Sequence, residues 1–465
     1  MSERWQNQEE AFQFAMAHDE CMLDMDMGTG KTRVAIDVVF ARPNVKRVLV
    51  VCPKAVLEVW PKELKKHAPG KLYRVFVRNP RSTVGKDAVA MKEYMNGVLP
   101  GGKKFVIVNY DAVWRWPIGD TLLKMDLDMV ILDESHRAKA AGSKVSKYLA
   151  MLGRRVCYRM CLSGTPMANS PLDVYGQYRF LDSSIFGTNH NQFLQQYAIM
   201  GGPERRFVVG YKNQKELRDK FQSIAYTCKM SDVADRIKLP EKLPPVVRTV
   251  QLPARDLRAS QKLAKKFMAE CGDVGVVVAK NILVNLLRQQ QIAAGFCEVQ
   301  DGPLQAPRTE ELNTTKRDAL VDWLQDIPEA DPTVVFCVFQ HDLDAVREAA
   351  EKARRASFEL SGRVNNLEDW RKAHGAVLAV QIQAGAEGVD MTIANHALYF
   401  SLPHSLALYE QSQARLYRPG QTRPVSFTHL VAEGTVDEGM YASLVRKKDV
   451  VEAVKDGTFD FGFIK

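Results

Sequence analysis

Short runs of β-branched and apolar residues alternate with longer helix-compatible stretches along the whole chain. The runs are CMLDMD, RVLVVCP, KFVIVNY, MVILDE and RMCLSG in the first half, then TVVFCVF, GAVLAVQ, HALYFS and VSFTHL in the second half. This alternation is typical of parallel sheets that are covered by helices. Because 465 residues exceed one ordinary core, the pattern predicts an α/β protein with two parallel-sheet lobes.

The region between the two sets of runs, from about residue 231 to residue 313, has a different pattern. It contains the Pro-rich segment KLPEKLPP, then a helix-rich stretch and a polar loop. The sequence therefore predicts a first lobe over residues 1–230, a linker with a helical insertion over residues 231–312, and a second lobe over residues 313–465.

The charge balance favours a polyanionic partner. Lys and Arg number 64 and Asp and Glu number 55, which gives a net charge of +9. The N-terminus has no apolar signal-peptide core. Residues 391–409 lack charged side chains but include Asn395, His396 and Pro403, so we interpret them as a buried strand and loop. We expect no membrane association and a cytoplasmic location, in a bacterial or virus-infected bacterial cell.

The segment MGTGKT follows the first apolar run and precedes a helix-compatible stretch. Glycines in such a loop let the backbone wrap phosphate, the lysine reaches the β- and γ-phosphates, and the threonine hydroxyl binds Mg²⁺. The usual pattern has a further glycine where this chain has Met25. The ATP-binding residues predicted here are Gly28, Thr29, Gly30, Lys31 and Thr32.

An acidic pair, Asp133 and Glu134, ends the apolar run MVILDE about a hundred residues after this loop. Asp133 is predicted to hold Mg²⁺ together with Thr32, and Glu134 to orient and deprotonate the attacking water. The alternative interpretation of the pair is a solvated acidic turn. The phosphate loop upstream favours the catalytic interpretation over this alternative.

With these two motifs in place, the chain resembles the Swi/Snf branch of the superfamily-two helicases nearly from end to end. The segments VVCPKAVLEVWPKEL and VIVNYDAVWR resemble family motifs that help to line the nucleic-acid track. The segments DESH, LSGTPMANSPLDVYGQYRFL, IQAGAEGVDMT and QSQARLYRPGQTRPVSFTHLVAEGTVDEG resemble its acidic, coupling and arginine motifs. The resemblance implies two RecA-like lobes and a minimal form without accessory domains, targeted by protein partners.

The resemblance also assigns roles to individual residues. Gln8 would read the adenine, and Gly388 and Asp390 would complete ATP binding, although asparagine is more common at the position of Asp390. The residues expected to couple the ATP site to nucleic acid are Ser163, Gly164, Thr165, Gln383 and Gln411. Arg415 and Arg418 are candidate arginine fingers, and their spacing from Gln411 predicts that one helix presents all three side chains.

The stretch from Lys54 to Lys86 is rich in Lys and Arg and contains few acids. Lys54, Lys65 and Lys66 are its predicted DNA contacts, made to phosphates without reading the base sequence. A solvated basic face is the alternative explanation.

The function that these features favour is an ATP-dependent motor that translocates on duplex DNA and remodels DNA or protein–DNA complexes. One alternative is an RNA or single-strand helicase of the same superfamily. Another is a non-catalytic DNA-binding scaffold, but such a scaffold would be expected to lack Lys31, Glu134 or Arg418, and all three are present.

Overall fold

The computed structural model describes residues 4–167, 170–201, 207–273, 279–299, 308–385 and 389–444. These residues form two compact units that divide between Ile237 and Lys238. The first unit is called the first lobe below and the second unit the second lobe. Each is described by itself.

Within the described residues, the first lobe is built on a seven-stranded sheet with the order β3-β4-β2-β5-β6-β1-β9. All of its strand pairs are parallel. The strands are β1 (Glu20–Met25), β2 (Arg47–Cys52), β3 (Tyr73–Val77), β4 (Lys103–Asn109), β5 (Met129–Asp133), β6 (Tyr158–Ser163) and β9 (Ala225–Cys228). An antiparallel hairpin joins β7 (Ala198–Gly201) to β8 (Phe207–Tyr211).

Helices follow most strands of the first lobe, and polar side chains begin several of them. Thr83, Ser143 and Asn189 each accept a backbone N–H at a helix start. The helices are α1 (Gln6–Ala17), α2 (Lys31–Ala41), α3 (Val59–His67), α4 (Val84–Asn96), α5 (Tyr110–Val113), α6 (Ile118–Leu123), α7 (Lys144–Gly153), α8 (Val174–Leu181), α9 (Ser183–Phe186), α10 (His190–Tyr197), α11 (Gln214–Gln222) and α12 (Met230–Val233).

The second lobe is built on a six-stranded parallel sheet, counted within the described ranges, with the order β10-β17-β16-β13-β15-β14. Its strands are β10 (Val246–Val250), β13 (Thr333–Cys337), β14 (Ser357–Leu360), β15 (Val377–Gln381), β16 (His396–Tyr399) and β17 (Ser426–Ala432). The strands β11 (Phe296–Val299) and β12 (Arg308–Glu311) form an antiparallel pair. Two parallel-sheet α/β lobes are thus confirmed.

The helices of the second lobe include two long ones before its central strands. They are α13 (Ala254–Asp273), α14 (Ala279–Ala293), α15 (Thr315–Asp326), α16 (Gln340–Lys352), α17 (Leu367–Lys372), α18 (Ile382–Gly385) and α19 (Leu406–Gln413). Strand β10 and helices α13 and α14 come from the segment expected to be linker and insertion, and β10 pairs with β17 at one edge of the sheet. The division into three parts with boundaries at residues 230 and 312 remains a prediction.

The uncharged stretch over residues 391–409 forms β16, the loops on either side of it and the first turn of α19. Met391, Leu398 and Tyr399 are fully buried, which confirms the buried strand, whereas the last four residues are helix and not the expected loop. In the part of the chain that the structure describes, no helix is long and apolar enough to span a bilayer.

Candidate active site

The glycine-rich loop connects β1 to α2 at the carboxyl edge of the first sheet. Met25 is the last residue of β1 and is fully buried, so the loop begins after it. Gly28 and Gly30 have φ angles of 85° and 96°, which favour glycine. A Cβ atom on Gly30 would lie 2.3 Å from Gln8 Nε2. Both the backbone conformation and the close approach of Gln8 therefore require glycine at position 30.

The first turn of α1 is bonded to this loop through Thr29. Asn7 Nδ2 and Gln8 Nε2 donate to the Thr29 carbonyl at 3.1 and 3.3 Å, and the Thr29 hydroxyl donates to the Asp26 carbonyl at 2.7 Å. Gln8 Oε1 also accepts the Trp5 N–H. These contacts hold the shape of the loop, and the reading of adenine by Gln8 remains a prediction. Sequence reasoning missed Asn7, because its role depends on this tertiary contact.

The structure brings the phosphate loop and the acidic pair together. Lys31 is the first residue of α2, and its Nζ lies 3.7 Å from Glu134 Oε1, with both side chains about nine-tenths buried. Glu134 follows β5 with a φ of 52° and a ψ of 55°, a left-handed conformation that is uncommon for a residue with a side chain. The lysine and both carboxylates therefore lie at one edge of one sheet.

Burial, reinforced by the charge of Glu134, raises the pKa of the Asp133 carboxyl to about 6. The Lys31 charge and a hydrogen bond from Trp60 act on this pKa in the opposite direction. Two adjacent buried carboxylates beside one lysine fit a divalent cation, because its charge would favour their ionised forms. Oxygen donors from Asp133 and Thr32 are also the ligands that Mg²⁺ prefers.

The predicted coupling segment lies against the phosphate loop. Strand β6 pairs with β1, so that Ser163 is opposite Asp24. His136 Nδ1 lies 3.3 Å from Ser163 Oγ and 3.5 Å from Glu134 Oε2. Ser163 Oγ also accepts the Thr165 N–H at 3.1 Å. A side chain at position 163 therefore contacts both the acidic segment and the following turn.

Gly164 and Gln177 bring the same segment close to its neighbours. A Cβ on Gly164 would lie 3.2 Å from the Met25 carbonyl oxygen. Gln177 is fully buried, accepts from the Ser135 hydroxyl at 2.7 Å and donates to the Pro166 carbonyl at 2.7 Å. The segments DESH and SGTP are thus bonded to each other through Gln177, a residue to which the sequence analysis gave no role.

The arginine segment of the second lobe differs from the prediction that one helix presents all three side chains. Helix α19 contains Gln411, which is buried, but ends at Gln413, and Arg415 and Arg418 lie in the turns that follow. Pro419 disfavours helical geometry at Arg418, the residue before it, but it does not account for the end of α19 at Gln413. The expectation of one shared helix was wrong.

Backbone contacts hold these turns against the segment near Asp390. The Met391 N–H donates to the Arg415 carbonyl at 3.0 Å, and Arg418 Nη1 lies 3.5 Å from the Val389 carbonyl oxygen. Burial would raise the pKa of Asp390, but hydrogen bonds from Thr392 and the charges of nearby arginines lower it. Asp390 is therefore held as a carboxylate beside the arginine turns.

Gln383 and Gly388 are the other predicted residues of this lobe. Gln383 is exposed in α18. Gly388 lies outside the described residues. The roles assigned to both remain predictions.

The basic stretch of the first lobe is mostly solvent-accessible. Lys54 lies in a 3₁₀ turn (Lys54–Val56), and Lys65 and Lys66 lie at the end of α3, all three exposed. Arg78 is the exception in this stretch, because it is buried against Asp87 and Asn109. The three lysines are accessible for phosphate contact, and their role remains a prediction.

A glycine loop between a strand and a helix, with an acidic pair at the end of a nearby parallel strand, is the arrangement of the P-loop nucleoside triphosphatases. The chain belongs to the family of the SNF2-related domain, whose model matches residues 1–294. The helicase conserved C-terminal domain matches residues 315–420. The resemblance to the Swi/Snf family is therefore confirmed, and the family implies the use of ATP.

Similar proteins carry DNA-processing names. The chain is 24% identical to the DNA annealing helicase and endonuclease ZRANB3 of Mus musculus, over 97% of this chain and 40% of that protein. It is 23% identical to the DNA repair and recombination protein RAD54-like of Drosophila mojavensis, over 94% of this chain and 60% of that protein. The chain thus spans only part of the length of these relatives.

A solved structure of a Sulfolobus solfataricus SWI2/SNF2 ATPase core in complex with double-stranded DNA is also similar. It is 21% identical, with a TM-score of 0.45, over 98% of this chain and 94% of that one.

Proposed function

We propose that this protein hydrolyses ATP with Mg²⁺ and uses the energy to translocate on duplex DNA, remodelling DNA or protein–DNA complexes. The observation that carries the proposal is the buried group formed by Lys31, Asp133 and Glu134 at one sheet edge of an SNF2-related chain. The names of the relatives, a DNA annealing helicase and a DNA recombination protein, support DNA as the polymer.

The first lobe supplies groups for each chemical requirement of phosphoryl transfer. Lys31 would bind the β- and γ-phosphates, and the loop around Gly28 and Gly30 would present backbone N–H groups to them. Asp133 and Thr32 would hold Mg²⁺, which neutralises phosphate charge when bound. Glu134 would accept the proton of the attacking water. Because these side chains are largely buried, their electrostatic interactions are stronger than they would be in water.

The second lobe would contribute cationic groups and the response to DNA. Arg415 and Arg418 are the proposed arginine fingers, and Gly388 and Asp390 would complete ATP binding. Gln383 and Gln411 would couple hydrolysis to DNA. In the first lobe, Lys54, Lys65 and Lys66 would contact phosphates. Alternating contacts of this kind would move the protein along a strand as ATP binds and is hydrolysed.

The test is the ATPase rate of the full chain measured with no polymer, duplex DNA, single-stranded DNA and RNA. We expect the largest stimulation by duplex DNA, without dependence on base sequence. Preferential stimulation by single strands or RNA would support a strand-separating helicase instead. Binding of DNA with no hydrolysis under any condition would identify a non-catalytic scaffold.

A further inference from the structure

Two buried aromatic side chains of the first lobe converge on Asp133. Trp60 Nε1 donates to Asp133 Oδ2 at 2.9 Å, and the Tyr110 hydroxyl donates to the Asp133 carbonyl at 2.9 Å. Trp60 is fully buried and Tyr110 nearly so. Both residues are far from Asp133 in sequence and belong to different segments. One aromatic donor therefore holds the carboxylate of Asp133, and the other holds its backbone.

The segments that carry these two residues are the ones that resemble the family's nucleic-acid track. Trp60 is the second residue of α3, a nine-residue helix whose only described buried side chains are Trp60 and Leu64. The same helix exposes Lys65 and Lys66, the proposed phosphate contacts. The proposed phosphate contacts and the indole that donates to Asp133 therefore belong to one nine-residue helix.

Tyr110 acts at the peptide between Asp133 and Glu134. It is the first residue of α5, directly after β4, and its hydroxyl bonds to the carbonyl of that peptide. Glu134 has a left-handed backbone, which is strained for a residue with a side chain and persists only where surrounding contacts fix it. The hydrogen bond from Tyr110 is one such contact, so it also affects where the Glu134 side chain points.

We propose that Trp60 and Tyr110 are positioning residues that couple occupancy of the DNA-binding face to the geometry of Asp133 and Glu134. The inference rests on the proposed function, because it needs both a DNA-stimulated ATPase and a metal held by Asp133. DNA bound to α3 and to the segment after β4 fixes the two donors. The donors in turn fix the carboxylate of Asp133, which would hold Mg²⁺, and the peptide that orients Glu134.

Purely structural hydrogen bonds would give a different result. Removal of such a bond lowers stability and lowers basal and stimulated hydrolysis by the same factor. Removal of a positioning bond lowers the ratio of stimulated to basal hydrolysis and weakens metal-dependent nucleotide binding, while DNA affinity is kept. The ratio therefore separates the two explanations.

The test uses Trp60→Phe and Tyr110→Phe in the full chain. Tyr110→Phe removes only the hydroxyl, whereas Trp60→Phe removes the indole N–H together with part of the ring volume, a cost that a matched tryptophan control must measure. Four quantities are measured: ATPase with and without duplex DNA, DNA affinity by fluorescence anisotropy, affinity for a fluorescent ATP analogue in Mg²⁺ and in EDTA, and the thermal unfolding midpoint. Tyr110→Phe provides an independent test if Trp60→Phe does not fold.

Two matched controls remove buried aromatic donors elsewhere. Trp323→Phe removes an indole that donates to Thr428 Oγ1 at 3.2 Å in the second lobe. Tyr148→Phe removes a hydroxyl that donates to the Gly119 carbonyl at 2.8 Å in the first lobe. Both side chains are buried, so the controls measure the cost of removing a buried donor that does not contact Asp133.

For Trp60→Phe we expect the DNA stimulation factor to fall by about tenfold or more, since a hydrogen bond to a charged group has about that effect on an equilibrium. The gain in nucleotide affinity that Mg²⁺ gives should shrink by a similar factor. Tyr110→Phe should lower stimulation by a smaller factor, because its acceptor is a neutral carbonyl. The controls should keep the parent's stimulation factor.

Each contrary result has a distinct meaning. A parent protein that DNA does not stimulate contradicts the proposed function itself. A stimulated parent with Phe variants that keep its stimulation and its Mg²⁺ effect overturns the positioning role. The role is also overturned if the variants lose activity only in step with their unfolding midpoints, as the controls do.

Discussion

The two lobes differ in how their buried charges are arranged. In the first lobe the buried lysine and carboxylates lie at the carboxyl edge of the sheet, where Lys31 approaches Glu134. In the second lobe the most buried ion pair of the described residues is Lys316 with Asp437, and each side chain is 1% exposed. Lys316 Nζ donates to the Phe400 carbonyl and Asp437 accepts the Ala432 N–H, at the ends of β16 and β17. The candidate residues Arg415 and Arg418 are only half-buried.

This difference indicates that the two lobes contribute differently to the proposed reaction. In the first lobe, Lys31 and the two carboxylates that are proposed to bind a nucleotide with Mg²⁺ are already close together. In the second lobe the most buried described pair holds strand ends, and the two arginines proposed for catalysis lie on turns. Variants in the first lobe should therefore change binding and chemistry, and variants of the arginine turns should change chemistry with little effect on binding.

The largest expected effect comes from the arginine turns. Arg418→Ala should bind ATP about as well as the parent, but hydrolysis should fall by about 10³ or more, the usual effect of removing an arginine finger. The residual activity should no longer respond to DNA. Isothermal titration and DNA-stimulated ATPase assays measure these two properties.

Arg347→Ala is the matched control, because Arg347 is an exposed arginine of α16 in the same lobe and pairs with Asp344. It should leave ATPase activity nearly unchanged. If DNA stimulates Arg418→Ala by the same factor as the parent, Arg418 is a surface or DNA-contacting residue, and Arg415 becomes the candidate.

The next effect concerns the chemistry of the first lobe. Glu134→Gln should still bind ATP but hydrolyse it about 10² to 10⁴ times more slowly, because an amide cannot act as a general base. Single-turnover hydrolysis measures the chemical step, and a nucleotide-binding assay measures affinity. Glu93→Gln, at an exposed position of α4, is the control. If Glu134→Gln hydrolyses ATP nearly as fast as the parent, Glu134 is not the general base.

A third prediction concerns the buried pair of the second lobe. Lys316→Met should lower the free energy of unfolding by about 3 to 5 kcal/mol, because it leaves Asp437 buried without its cation. Urea denaturation measures the decrease. Lys124→Ala, which breaks an exposed pair with Asp120 in the first lobe, should cost less than about 1 kcal/mol.

A double variant sharpens this comparison. Lys316→Met with Asp437→Leu should recover much of the stability, since a buried ion pair can often be replaced by apolar side chains. If Lys316→Met alone is as stable as the parent, the pair does not hold the second lobe together.

The sequence predicted the central strands of both sheets and missed the edge strands. All nine apolar runs correspond to strands within the described residues. The strands at the edges, β3 and β9 in the first lobe and β10 and β14 in the second, were not predicted. Central parallel strands are covered on both faces and appear as continuous apolar runs, whereas these edge strands are half-exposed and more polar.

The candidate site shows a similar limit. Phosphate-loop and acidic residues follow strands directly, so their positions could be predicted from sequence. Trp60 is separated from Asp133 by 73 positions in the chain, and only the order of strands in the sheet brings α3 to β5. The spacing of Gln411 and the arginines suggested a longer helix, whereas Pro419 could have excluded only Arg418 from it.

The smallest expected effect tests the exposed basic face of the first lobe. Lys65→Glu with Lys66→Glu should weaken duplex DNA binding and reduce the slope of log K against log salt, by about 0.9 for each bound phosphate that the variant no longer neutralises. Lys86→Glu changes another exposed lysine, on α4, and provides the control. Anisotropy titrations at several salt concentrations measure the slope for each protein. ATP binding in the absence of DNA should not change in any of them, because these lysines lie outside the group around Lys31. An unchanged slope in the double variant would mean that the face is only solvated, and α3 would then have no role in conveying DNA binding to Asp133.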